Sequence, residues 1–183
     1  FNSDASDSQL RFIKQMGATD VVTALRGEDR ADVWSFDAML RLKNKVEDHG
    51  LTLSVFEGIT APDRVKLGQP GRDQDIENYC ESIRNMGRAG LTVVCYNWMV
   101  HFNWLRTSTT TPVRGGAMAT TYNHEEFQRG PLTEHGEVEE DLLWETLEYF
   151  LKAVVPVAEE AGVKLAMHPD DPPLSPIRGI GRI

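Results

Sequence analysis

The chain has 183 residues, 40% of them hydrophobic, and a formal net charge of −9. That size fits one globular domain with its own core, and the acidic balance excludes a general nucleic-acid surface, which needs clustered Lys and Arg. Two cysteines without CxxC spacing favour a reduced cytoplasmic protein over a disulfide scaffold or zinc ribbon, and no apolar run reaches the roughly 20 residues that span a bilayer.

No signal peptide precedes the first helix, and the chain opens on Phe1 rather than methionine, so a processed, trimmed or incomplete chain is expected. A helix-like segment around Gln9 to Met16 leads through Gly17 to a strand over Asp20 to Leu25. After a charged loop, Ser35 caps a second helix that Gly50 ends. Leu51 to Glu57 is rich in strand formers. The next helix runs from about Asp73 to Arg88, with Ile76, Tyr79, Cys80, Ile83 and Met86 on one stripe. It stops at Gly90, and the strand Leu91 to Tyr96 follows. The longest helix, Val138 to Ala161, turns Leu142, Leu143, Leu147, Phe150, Leu151, Val154 and Val155 inward. Gly162 ends it, and a last strand leads to His168.

Strands alternating with helices argue for parallel βαβ units. The helix-to-strand joins are single glycines, while the loops after the strands are long, polar and aromatic. That asymmetry belongs to a (β/α)8 barrel, whose active face is built from the loops that follow the strands. A doubly wound open sheet competes, but no GxGxxG or P-loop follows any strand. A barrel of this kind takes about 250 residues. Four clear strands, with a remnant of a further one at Phe1, therefore predict one α/β domain over residues 1–183: a partial TIM barrel, roughly its N-terminal half, belonging to a larger protein.

Candidate chemistry sits at the strand ends. His168 is followed by Pro169, Asp170, Asp171, Pro172 and Pro173. Proline fixes φ and biases its predecessor towards extended geometry, so this turn is stiff. Neutral imidazole ligates divalent transition metals, and carboxylates suit ions such as Mn2+. The competing reading packs His168 at a barrel rim and uses the aspartates to cap a turn. In "VCYNWMVHFNWLRT", Asn97 can hydrogen-bond a polyol, and Arg106 can grip a carboxylate in bidentate fashion. Trp98, Phe102 and Trp104 either wall a pocket or pack the loop. Glu57 is a candidate for the active face, with a cap or ion-pair role as the alternative. His101 reads as a loop histidine, and His124 and His135 as surface residues without partners at metal-site spacing. Cys95 and Cys80 read as buried apolar groups rather than nucleophiles. The acidic run "EHGEVEED" reads as the solvated start of the long helix.

The segments "VVTAL", "RDQDIENYCESIRNMGRAGLTVVCYNWM", "NWLRT", "AEEAGVKLAMHPDDPP" and "GIGRI" resemble the mannonate dehydratase family, in the family's order and along most of the chain. The His-Pro-Asp-Asp-Pro-Pro run is the most specific of them. The resemblance implies a xylose-isomerase-like TIM barrel with a divalent metal, Mn2+ or Fe2+. The family dehydrates D-mannonate to 2-keto-3-deoxy-D-gluconate in hexuronate breakdown. It also implies that His168 is a metal ligand and that Asn97, Asp170 and Asp171 lie near the substrate. The family's other ligands, a cysteine, a histidine and an aspartate, lie on later strands. The main catalytic groups are therefore expected beyond Ile183, and no residue of this chain is assigned that role. Departures fall on the presumed active face. The family loop reads Tyr-Asn-Phe-Met-Pro-Val-Phe-Asp-Trp-Thr-Arg-Thr, whereas this chain has Val100 for the proline, His101 for the valine, Asn103 for the aspartate and Leu105 for the threonine. After Glu57, where the family carries a histidine, this chain reads Thr60-Ala61-Pro62-Asp63, and the loop after Leu25 is also unusual.

The resemblance thus implies β-elimination of water from a sugar acid. A base removes the proton α to the carboxylate, an acid assists departure of the 3-hydroxyl, and tautomerisation gives the 2-keto acid. The expected protein is the N-terminal part of such a lyase, inactive alone and weak in Mn2+ binding because one ligand cannot hold the ion. A divergent sugar or sugar-acid isomerase or epimerase on the same barrel stays open, as does a non-catalytic sugar-acid binding domain. Neither nucleic acid nor membrane is an expected partner, and homo-oligomerisation is left open.

Overall fold

A computed structural model describes residues 4–26 and 32–183. The further strand expected at Phe1, and most of the charged loop after Leu25, lie outside those residues. In chain order come α1 (Asp7–Gln15), β1 (Asp20–Thr23), α2 (Phe36–Glu47), β2 (Thr52–Glu57), α3 (Asp63–Lys66), α4 (Arg72–Arg88) and β3 (Val93–Asn97). They are followed by β4 (Ser108–Pro112), β5 (Met118–Thr121), α5 (His124–Gln128), α6 (Glu140–Ala161) and β6 (Lys164–His168). Strands β1, β2, β3 and β6 form one parallel sheet in that spatial order, the expected run of βαβ units. The long segment between β3 and α6 holds the antiparallel β4–β5 hairpin and the short α5.

Local chemistry sets the helix ends. Ser6 and Gln9 form a reciprocal capping box at α1, satisfying two otherwise orphaned amide donors. Ser35 accepts from the Ala38 amide at the start of α2, at 3.2 Å. Gly162 ends α6 in the left-handed conformation at φ 68°. Helix α6 begins at Glu140 rather than at Val138. The reason lies in the backbone of Val138, whose N–H donates to the Gly179 carbonyl and whose carbonyl accepts from Gly181. The carbonyl is thereby engaged by the C-terminal segment instead of accepting the amide four residues on, which a helix starting at Val138 would need.

The two faces of the sheet differ. Phe56, Val94 and Tyr96 are buried under the helices, with Tyr96 and Trp98 meeting the Phe150 ring of α6. On the other face, Val22 is 40% exposed, Val55 and Cys95 are half-buried, and Ala166 is exposed. In a closed barrel that inner face is filled by side chains from the facing strands; here four strands leave it open. Helix α6 buries Leu143, Leu147, Phe150, Val154 and Ala158, at three- and four-residue intervals. Leu142 and Val155, expected inward, are 36% and 45% exposed, because each lies about 100° or more round the helix from the centre of the buried stripe. Among the described residues no helix is long and apolar enough to cross a membrane.

Helices α4 and α6 approach closely at Gly87. A Cβ there would lie 2.4 Å from the Ala161 carbonyl oxygen and 2.9 Å from its Cβ. Backbone cannot yield as a flexible side chain can, so overpacking outweighs the better helix propensity of alanine. Gly87→Ala is expected to destabilise the fold by roughly 1–3 kcal/mol, read as a lowered urea midpoint. An unchanged or raised midpoint would show that the two helices separate without cost.

Candidate functional site

The candidate site lies at the carboxyl ends of the parallel strands. Asn97 is the register partner of His168, and Glu57 that of Cys95. Residues paired across a parallel sheet share a face, as do residues two apart along a strand. Glu57, Cys95, Asn97 and His168 therefore occupy one face, the open one, with Glu57, Asn97 and His168 as the last residues of their strands. Asn97 is buried, and its Oδ1 accepts the Met99 amide at 3.2 Å, which turns the chain sharply out of β3.

The geometry of His168 suits a metal ligand. Its Nδ1 lies 2.6 Å from the carbonyl oxygen of Pro169. A carbonyl only accepts, so Nδ1 carries a proton here, and the tautomer this selects for the neutral ring is the one that presents its lone pair at Nε2. A metal-ligating imidazole is commonly oriented by this kind of contact to a backbone carbonyl. Trp104 stands edge-on to the His168 ring, with centroids 5.5 Å apart, and is 45% exposed. It walls the site, whereas Trp98 and Phe102 are buried packing residues.

The two aspartates after His168 have separate environments. Asp171 takes a bidentate grip from Arg106, with Nη1 and Nη2 at 3.3 and 2.9 Å from its two oxygens. The carboxylate that Arg106 pairs with is thus on the neighbouring strand-end loop, and this hydrogen bonding holds the Asp171 carboxyl below its usual range. Asp170 is buried beside Arg182, whose Nε lies 3.1 Å from Oδ2, near enough for an ion pair but off-axis for a hydrogen bond. Oδ1 of Asp170 has no partner among the described residues. Burial pushes this carboxyl up, against the opposing effect of Arg182.

Ile183, the residue beyond which the catalytic groups are expected, has a structural part of its own. Its amide donates to Asp170 Oδ2 and its carbonyl accepts from the Asp170 amide, both at 3.3 Å. An aliphatic side chain has no donor, acceptor or nucleophile to offer, so Ile183 itself does no chemistry. Its backbone instead steadies the turn that follows His168.

Sequence reasoning missed two buried cations. Arg182 donates to the Phe102 carbonyl at 2.7 Å and the Asp171 carbonyl at 2.9 Å, tying the loop after β3 to the loop after β6. Lys66 donates to the Met99 carbonyl at 2.6 Å; burial lowers its pKa, with Asp63 opposing. The only hints were an arginine inside the apolar "GIGRI" and a lysine between Val65 and Leu67.

The remaining candidates divide. Cys80 is buried, but Cys95 is only half-buried on the open face; burial raises both thiols, so neither is a ready thiolate. His124 is engaged by Tyr122 and Gln128 at 3.1 and 3.3 Å. His101 and His135, read as isolated, instead converge on Glu134. Residues 34 positions apart came together because the chain between β3 and α6 folds back on itself.

A family model described as D-mannonate dehydratase (UxuA) matches residues 2–134 and 128–183. The chain belongs to the mannonate dehydratase family. Mannonate dehydratase 2 of Halalkalibacterium halodurans is 36% identical over 199 aligned residues, covering 96% of this chain and 57% of that protein. The mannonate dehydratase of Streptococcus pneumoniae is 38% identical over 191, covering 91% and 52%. The crystal structure of mannonate dehydratase from Streptococcus suis serotype 2 matches with a TM-score of 0.91 at 39% identity, over all of this chain and 54% of that one. This chain thus spans about half the length of the mannonate dehydratases it matches. D-Psicose 3-epimerase from Clostridium cellulolyticum H10 matches at TM-score 0.53 and 13% identity, a likeness of fold alone. Together with the half-open sheet, these matches identify the architecture as part of a TIM barrel.

Proposed function

We propose that residues 1–183 are one unit, the N-terminal part of a cytoplasmic lyase that dehydrates D-mannonate to 2-keto-3-deoxy-D-gluconate, with its main catalytic groups beyond Ile183. The observation that carries this reading is His168, held at a strand end with its Nε2 lone pair free for a divalent ion, in a chain of this family. When bound, Mn2+ or Fe2+ would supply Lewis acidity for charge that develops on the substrate carboxylate. His168 would be this chain's contribution to that ion's ligand set. Asn97 and the Arg106–Asp171 pair border the same strand ends and would orient the sugar acid through its hydroxyls. Trp104 would screen water from the site, and Asp170, fixed by Arg182, would set the shape of the turn that carries His168. Of the loop departures, Val100 is buried and Asn103 is exposed.

The reading is tested in the protein that carries the complete barrel, by following the 2-keto-3-deoxy product from D-mannonate. His168→Ala is expected to lower kcat/KM by at least about a hundredfold, since even outer-shell partners of metal ligands cost 10–100-fold. The Mn2+ held at the strand ends should be lost in parallel. An epimerised sugar acid as the product would overturn the dehydratase reading in favour of an epimerase. Ligand binding that survives His168→Ala without any metal would identify a binding domain instead. The 183-residue chain alone is expected to release no 2-keto-3-deoxy acid with Mn2+ present.

A further inference from the structure

We propose that His101, Glu134 and His135 form a binding site for a first-row divalent transition ion, using none of the strand-end residues. His101 Nδ1 lies 3.3 Å and His135 Nε2 3.8 Å from the same oxygen, Glu134 Oε1. One ligand atom from each of the three falls within 4.8 Å of the others. Ligands held at about 2.0–2.2 Å from one ion lie about 3.0–3.5 Å apart. The two carboxylate distances are therefore close to a ligating arrangement already, and small rotations of part-exposed side chains close the rest. The two imidazole rings stand 5.7 Å apart at 80°, so they approach a shared centre from different directions rather than stacking.

The backbone holds both histidines for this purpose. His101 sits at φ 55°, uncommon for a residue with a side chain. Its amide donates to Asp63 Oδ2 at 3.1 Å, and its ring packs edge-on against Phe102, which is buried. The His135 amide donates to Thr133 Oγ1 at 3.2 Å, inside a turn closed by the Thr133–Gly136 bridge. Two imidazoles with one carboxylate prefer Zn2+, Co2+ or Ni2+ to Mg2+ or Ca2+, and three protein ligands leave positions open for water. A bound ion would fasten the loop after β3, which carries Trp104 and Arg106, to the segment that leads into α6. The site would thus clamp the wall beside His168.

The test is a Co2+ titration of the 183-residue chain, followed by visible absorption and calorimetry. His168→Ala is included to remove the strand-end imidazole. One Co2+ is expected to bind in both the parent and His168→Ala. Glu134→Gln, His135→Ala and His101→Asn should each weaken it by at least about tenfold. Asparagine is chosen at 101 because it tolerates the left-handed backbone there. All three positions are partly exposed, and far-UV circular dichroism shows whether each variant keeps the fold; any one that does suffices. Parent-like affinity in folded variants would overturn the site, as would binding lost only in His168→Ala. Because the readout is binding and not turnover, failure here leaves the dehydratase reading untouched, and the converse also holds.

Discussion

Phe150→Ala is expected to lower the unfolding free energy by about 3–5 kcal/mol, the range for deleting a buried aromatic side chain. Phe150 is fully buried where helix meets sheet. Its ring meets Tyr79 edge-on at 4.9 Å, Trp98 at 5.0 Å and Tyr96 at 6.0 Å. These neighbours come from α4, β3 and the turn after β3, so the ring joins three segments at once. Truncation removes both the transfer free energy of the ring and the contacts of its neighbours, which are fixed by the sheet and cannot collapse into the space. With total stability of order 5–15 kcal/mol, that loss is a large share. Phe150→Leu, which keeps most of the volume, should cost clearly less. Urea unfolding of both variants checks the expectation, and a cost below about 1 kcal/mol for the alanine variant would show that this cluster does not organise the core.

Arg182→Met is expected to cost about 3–5 kcal/mol, because it leaves a buried carboxylate without its counter-charge. The side chains of Arg182 and Asp170 are 1% and 3% exposed. Loss of the guanidinium also strips donors from the Phe102 and Asp171 carbonyls, and a buried acceptor left unpaired carries its full desolvation penalty. The companion Asp170→Leu removes the stranded charge, so the double variant should cost much less than the sum of the singles. A double-mutant cycle reads this directly, and simple additivity would refute a coupled buried pair. The effect on geometry follows from position: the pair fixes both loops that flank His168.

Much of this architecture was legible in the chain. Ser35, Gly50, Gly90 and Gly162 mark helix ends by backbone chemistry that needs no tertiary partner. The alternation of β-rich runs with amphipathic stripes specified parallel units, and the stripe through Ile76, Tyr79, Cys80, Ile83 and Met86 is buried as expected. The misses have a common cause. Leu142 and Val155 are apolar but flank the buried stripe, and hydrophobicity alone does not say which side of a helix a neighbour will cover. The start of α6 was misplaced because Val138 bonds to a segment some 40 residues away, a competition invisible to local propensity.

The site divides in the same way. His168 and its prolines stood out because a stiff turn after a strand is a local property, and Arg106 was recognised as a carboxylate clamp from its side chain alone. Its partner, Asp171, lies 65 residues away. The pairing of Asp170 with Arg182 and Ile183, the burial of Lys66 and the convergence of His101 and His135 on Glu134 are likewise contacts between separate loop segments. By itself the sequence determined the family, the order of the four parallel strands and the longer helices between them, and the residues presented at strand ends, since periodicity, capping and proline stiffness act over a few residues. The β4–β5 hairpin and the short α3 and α5 were not legible in it. Only the tertiary structure decided which charges face one another, because ion pairing and burial depend on distances in space that chain separation does not encode.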